Sequence, residues 1–201
     1  MVVIAPFKGV VYNKEKISDL DDVMSPPYDI ISPVMQDELY KKSEYNVVRL
    51  ILGKRSPEDD EKNNCYTRAK KFLDSWLEQG VLVENKTPAI YPYKVEYEAD
   101  GKKKVMNGFF VLLKLDHEYR MVKAHEKTLS KPKEDRLNLM RATKANLEPI
   151  ELLYIDESDA IRKKVDAALG EPEIDVVGYD GFRHMYGRLR IKILSTRFSR
   201  C

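Results

Sequence analysis

Apolar and polar positions along the chain fall into short blocks, each closed by its own turn or cap signal. β-branched residues over Val2–Phe7 and Val10–Tyr12, interrupted by Gly9, predict an extended start. A strand-like piece, Asp21–Ser25, leads into Ser25-Pro26-Pro27-Tyr28-Asp29, where two adjacent prolines exclude regular helix and predict a stiff loop. Ser32-Pro33 reads as an N-cap followed by proline at the first helical position and predicts a helix to about Lys42. Asn46–Leu52 predicts a buried strand. Ser56-Pro57 repeats the cap signal with three acids behind it and predicts a helix running to Gln79, closed by Gly80. Tyr66, Ala69, Leu73, Trp76 and Leu77 form its packed face. Ala89–Glu98 and Lys103–Leu115 flank Asp100-Gly101, a hairpin signal. Beyond them the pattern predicts a helix from about Pro132 to Thr143, a strand at Ile150–Ile155, and a helix over Ser158–Leu169 ended by Gly170. A strand at Glu173–Tyr179 leads into a second hairpin turn at Asp180-Gly181.

Strands mixed with both hairpins and helices define an α/β or α+β fold, with a mixed sheet, a long hairpin and three to four helices. The pattern reads as one domain over residues 1–184, followed by a basic tail, 185–201. Gly181–Cys201 holds six basic residues and no acid, against a formal net charge of +2 for the whole chain. The tail is read as a last strand with a solvated end, or as a segment outside the fold. Near-balanced charge gives no general affinity for nucleic acid or membranes. No apolar run is long enough to span a bilayer, and the N-terminus lacks a secretory pattern. Two cysteines cannot build a disulfide framework, so the expected compartment is the cytoplasm. Charged residues make up 34% and glutamine occurs twice, a bias that resembles proteins of hot-growing organisms.

The chemistry concentrates at 125–136, His-Glu-Lys-Thr-Leu-Ser-Lys-Pro-Lys-Glu-Asp-Arg, around a predicted helix start. Backbone N–H groups there, with Thr128, Ser130, Lys131 and Lys133, would suit an anion. A helical wheel turns Asp135 and Arg136 toward the protein, where they either satisfy internal partners or line a polar cleft. The Arg136 fork suits a carboxylate or phosphate. His125 and Glu126 are candidates for proton transfer, whereas the HExxH zinc pattern fails because residue 129 is Leu, and no metal site is expected. His117 and His184 read as isolated surface groups. Tyr28 and Asp29 lie on the proline-stiffened loop, either a structural corner or a binding edge. Glycine-rich phosphate loops are absent from the sequence.

Two segments, Ser25-Pro26-Pro27-Tyr28-Asp29-Ile30-Ile31-Ser32 and HEKTLSKPKEDRLNLMRATKANLEPIELLY at 125–154, resemble the signature segments of the domain of unknown function 1015 family. The likeness covers about residues 1–184. It implies relatives about twice this length. They carry further on an Asp-Gly-His-His-Arg segment similar to the phosphate-handling motif of the ParB fold and of related free-serine kinases. This chain instead reads Asp180-Gly181-Phe182-Arg183-His184 and turns into its acid-free tail. It is therefore expected to be a short member, a truncated form or the product of an altered reading frame.

Two functional expectations follow. One is a phosphate- or nucleotide-binding domain resembling part of a small-molecule kinase-like enzyme, with a nucleotide and magnesium as the cofactor to try, and with binding but no turnover in this form. The other is a noncatalytic interaction module or a ParB-like DNA-associated regulator, supported by the basic tail. The denser basic cluster, at 127–136, favours a small anion over nucleic acid. Homo-oligomerisation is left open.

Overall fold

The computed structural model describes residues 2–124 and 129–189. Two short ladders open the chain: β1 (Ile4–Ala5) pairs with β6 (Leu112–Leu113), and β2 (Val10–Tyr12) with β3 (Leu82–Glu84). A four-stranded sheet in the order β5-β4-β8-β7 holds β4 (Tyr91–Ala99), β5 (Lys102–Phe110), β7 (Ile174–Val177) and β8 (Arg183–Tyr186). Every pairing is antiparallel among the described residues, where mixed pairing was expected, and the fold is α+β. The long hairpin turns as the sequence demands: Asp100 and Gly101 take φ of 55° and 66°, the left-handed pair of a tight hairpin. β8 runs across residue 184, and Leu189 still bridges to Ile90.

Among the described residues there are five α-helices, four beside the Trp76 core and the last on the sheet. α1 spans Pro33–Lys42, with Ser32 accepting the Met35 N–H as its cap. The α4 (Ser130–Thr143) and α5 (Ala160–Ala168) helices also lie where the pattern puts them. Asp156 starts α5 by accepting the N–H groups of Ala160, Ile161 and Arg162. α3 (Cys65–Glu78) ends as expected before Gly80, but it begins at an Asn64–Thr67 capping box rather than at Ser56-Pro57. The acids after Pro57 serve a turn instead: Asp59 takes both Arg68 Nη atoms at 2.6 and 3.0 Å, and Asp60 accepts the Lys62 and Asn63 N–H groups.

Three predicted strands are corrected. Asp21–Ser25 is a turn, with the N–H groups of Val23 and Met24 bonded to the Leu20 carbonyl. Asn46–Leu52 contains the single-turn helix α2 (Val48–Ile51). Asn46 forces that turn, because its Oδ1 accepts the Val48 N–H while its Nδ2 holds the Asp22 and Met24 carbonyls. Ile150–Ile155 lies in no strand at all. A single 3-10 turn, Tyr28–Ile30, follows Pro27 in the stiff loop.

The core gathers around Trp76, with Val23, Leu50, Ile51, Leu73 and Leu82. Tyr12, Tyr45 and Phe72 set their rings against the indole. α4 packs along α3, and α5 covers one face of the four-stranded sheet. Tyr91 joins the N-terminal strands to that sheet. Its buried hydroxyl accepts the Gly9 N–H at 2.6 Å and donates to the Phe7 carbonyl, and a Cβ at position 9 would lie 2.9 Å from it.

Candidate functional site

Asp135 sits on the inward side of α4, as the wheel predicts, with its side chain 23% exposed. Its Oδ1 accepts the Tyr66 hydroxyl and Arg55 Nη2, each at 2.7 Å; Oδ2 accepts Arg136 Nη2 at 2.5 Å. Arg55 Nη2 also reaches the Tyr66 oxygen at 3.0 Å. Arg136 uses its remaining nitrogen, Nη1, on Glu148, and its guanidinium lies 3.8 Å from the centre of the Tyr28 ring. The Tyr28 backbone N–H also supports the Glu148 carboxylate. The proline-stiffened loop and the signature helix, far apart in sequence, thus meet through one arginine.

Burial pulls on Asp135, Glu148, Tyr66 and Cys65 alike. It raises the Asp135 carboxyl, but hydrogen bonds from Arg136 and Tyr66 and the two guanidinium charges outweigh it and hold the group below the ordinary carboxylate range. At Glu148 burial wins over the Arg136 charge, and the carboxyl is pushed up. Burial likewise raises the Tyr66 phenol, helped by its bond to Asp135, and the Cys65 thiol. The shift and the burial of Cys65 both favour its protonated form.

Two hollows adjoin this network. A cavity of about 20 Å³ lies among Cys65, Tyr66, Asp135, Arg136 and Leu139. Next to it opens a cleft of about 300 Å³, floored by Leu52 and Gly53 and walled by Ser32, Pro33 and Gln36 at the start of α1 and by Arg55. This is the lower end of the size range of small-molecule sites. Arg55 is 67% exposed and, among the described residues, makes its hydrogen bonds through Nη2 alone. Gln36 donates to the Leu52 carbonyl at 2.7 Å and fixes the cleft floor.

A family model described as a protein of unknown function, DUF1015, matches residues 4–191. The chain belongs to the DUF1015 family. No curated protein and no solved structure matches it.

Of the residues singled out from the DUF1015 sequence, Tyr28, Asp135 and Arg136 converge. Ser130, Lys131 and Lys133 are exposed along the first turn of α4, whose N-cap is Leu129 without a side-chain cap bond. Asp29 is exposed beside Tyr28. His125, Glu126 and Thr128 lie outside the described residues. Sequence reasoning missed Arg55, Tyr66 and Glu148, which no local motif links to α4. It also misread His184, which is no isolated surface group: its Nδ1 meets the Tyr93 hydroxyl at 2.7 Å and its Nε2 meets Asp180 at 3.2 Å.

Proposed function

We propose that this domain binds a small phosphate-bearing anion in the cleft between the start of α1 and Arg55, as a kinase-like small-molecule enzyme would. The carrying observation is Arg55, held at Nη2 by Asp135 and Tyr66, 67% exposed, and lining a cleft of about 300 Å³. A guanidinium fixed on one side and open on the other is preorganised for an oxyanion. The first turn of α1 adds its positive end to the same wall. Arg136, whose fork is occupied by Asp135 and Glu148, serves in this reading to position Asp135 rather than to hold the ligand. Lys131 and Lys133 are the alternative locus.

The test is thermal unfolding with phosphate, ADP, ATP and CTP, with and without magnesium. A ligand at about a hundred times its dissociation constant adds about 2.7 kcal/mol, which is several degrees for a chain of this size. The expected result is a shift that disappears in Arg55→Ala and persists in the double variant Lys131→Ala/Lys133→Ala. Loss in the lysine variant instead would move the site to α4. No shift with any anion would overturn the reading. The DNA-associated alternative draws no support from Arg183 and Arg188, each of which already pairs with a carboxylate.

A further inference from the structure

The run Ile150–Ile155 is the largest apolar anomaly of the described chain. Ile150, Leu153 and Ile155 are 82, 81 and 86% exposed. Residues 149–156 lie in neither helix, strand nor turn, and among the described residues the backbone of 150–155 makes no hydrogen bond. Aliphatic side chains on a backbone open along both edges have the make-up of a strand without a sheet, and the sequence pattern itself predicts a strand there. A matching edge exists in the same fold. Among the described residues β5 is the outer strand of the four-stranded sheet and pairs only with β4. Its first half, Lys102–Met106, is exposed, and Val105 and Met106 present apolar surface beside three lysines.

The two elements are complementary in charge. Glu151, Asp156 and Glu157 bracket the run, and Lys102, Lys103 and Lys104 open β5. An antiparallel register that sets Leu153 against Met106 places Tyr154 on Val105, Asp156 on Lys103 and Glu157 on Lys102. Within one copy the run meets the wrong end of the strand, because Tyr154 packs on Phe109, with ring centres 5.6 Å apart, and leaves the lysines uncovered. That contact nevertheless sets donor run and acceptor edge side by side. A two-fold interface requires such an arrangement, since each patch must give and receive the same contact.

We propose that the chain forms a two-fold symmetric dimer in which residues 150–155 of each copy add as an antiparallel strand to the outer edge of β5 in the other, with Glu157 in the turn just beyond. Strand addition supplies the backbone hydrogen bonds that the run lacks and covers its aliphatic side chains. Asp156 is occupied in starting α5, so Glu157 opposite Lys102 is the pair that fixes register. The inference is independent of the anion site.

Sedimentation equilibrium of the whole chain over a range of concentrations tests it. The expected result is a reversible dimer. Leu153→Asp should make it monomeric with an unchanged circular dichroism spectrum, because the position is exposed. The pair Lys102→Glu/Lys103→Glu should weaken association about tenfold, and adding Glu157→Lys should recover part of the loss. A chain that is monomeric at every concentration overturns the proposal. So does a dimer that Leu153→Asp leaves intact, or one whose charge-reversed form gains nothing from Glu157→Lys.

Discussion

Asp135 gathers donors from three parts of the chain, and its substitution is the sharpest single-residue probe of the site. Asp135→Asn keeps the shape but weakens the bonds to Arg55, Tyr66 and Arg136, and should cost about 2 kcal/mol in chemical denaturation. Acid should act in the same direction. The Asp135 carboxyl titrates lower when folded than when unfolded, so its contribution is full above the unfolded value near 4 and is lost as the pH falls through the folded value. Glu148 works in the opposite sense. Its folded value is raised, so it favours the fold below the ordinary glutamate value, and that contribution is lost as the pH rises through the folded one. Melting temperature followed from acid to neutral pH should show a shallower acid limb in Asp135→Asn. Glu148→Gln should abolish the decline that Glu148 causes on the rising side; an unchanged profile in both would disprove this assignment. The sequence revealed the inward side of α4, because helical geometry needs only local spacing. It hid Arg55, Tyr66 and Glu148, because their approach to Asp135 is made by the tertiary fold.

Among the elements, caps and turns decide what a pattern can reveal. Ser32-Pro33, Asp100-Gly101 and Gly80 each act within a few residues, and α1, the long hairpin and the end of α3 lie where those signals put them. Ser56-Pro57 carries the same signal and starts no helix, since its acids are drawn to Arg68 and to nearby backbone. Asn64→Ala should therefore cost about 1 kcal/mol, while Ser56→Ala should change urea unfolding little; equal effects would reinstate the earlier start. Gly101→Val, forced into a left-handed turn, should lose about 1 to 2 kcal/mol. The apolar run at Asn46–Leu52 reads, wrongly, as a buried strand, because periodicity does not separate a short apolar strand from a buried helical turn, and the side chain of Asn46 imposes the turn.

At the scale of the molecule, a helical layer around Trp76 lies beside a four-stranded sheet with α5, and the Tyr91 hydroxyl ties the N-terminal strands to that sheet. Tyr91→Phe strands the Gly9 N–H in the interior, and should cost about 1 to 3 kcal/mol. Hydrogen exchange should then show earlier opening at β1 and β2 than within β4 and β5; uniform loss of protection would mean that the two layers open together. The described residues contain no helix long and apolar enough to cross a membrane.

The meeting of Tyr28 and Arg136 carries a consequence for synthesis. A nascent chain halted before α4 clears the ribosome already has the proline-stiffened loop, Arg55 and Tyr66, yet lacks the carboxylate that holds the arginine and the guanidinium that lies on the tyrosine ring. Until residue 148 emerges, Arg136 also lacks its second carboxylate. On the proposed reading, binding competence should therefore appear late in translation, only after residue 148 has emerged, and arrested chains of increasing length would time its appearance.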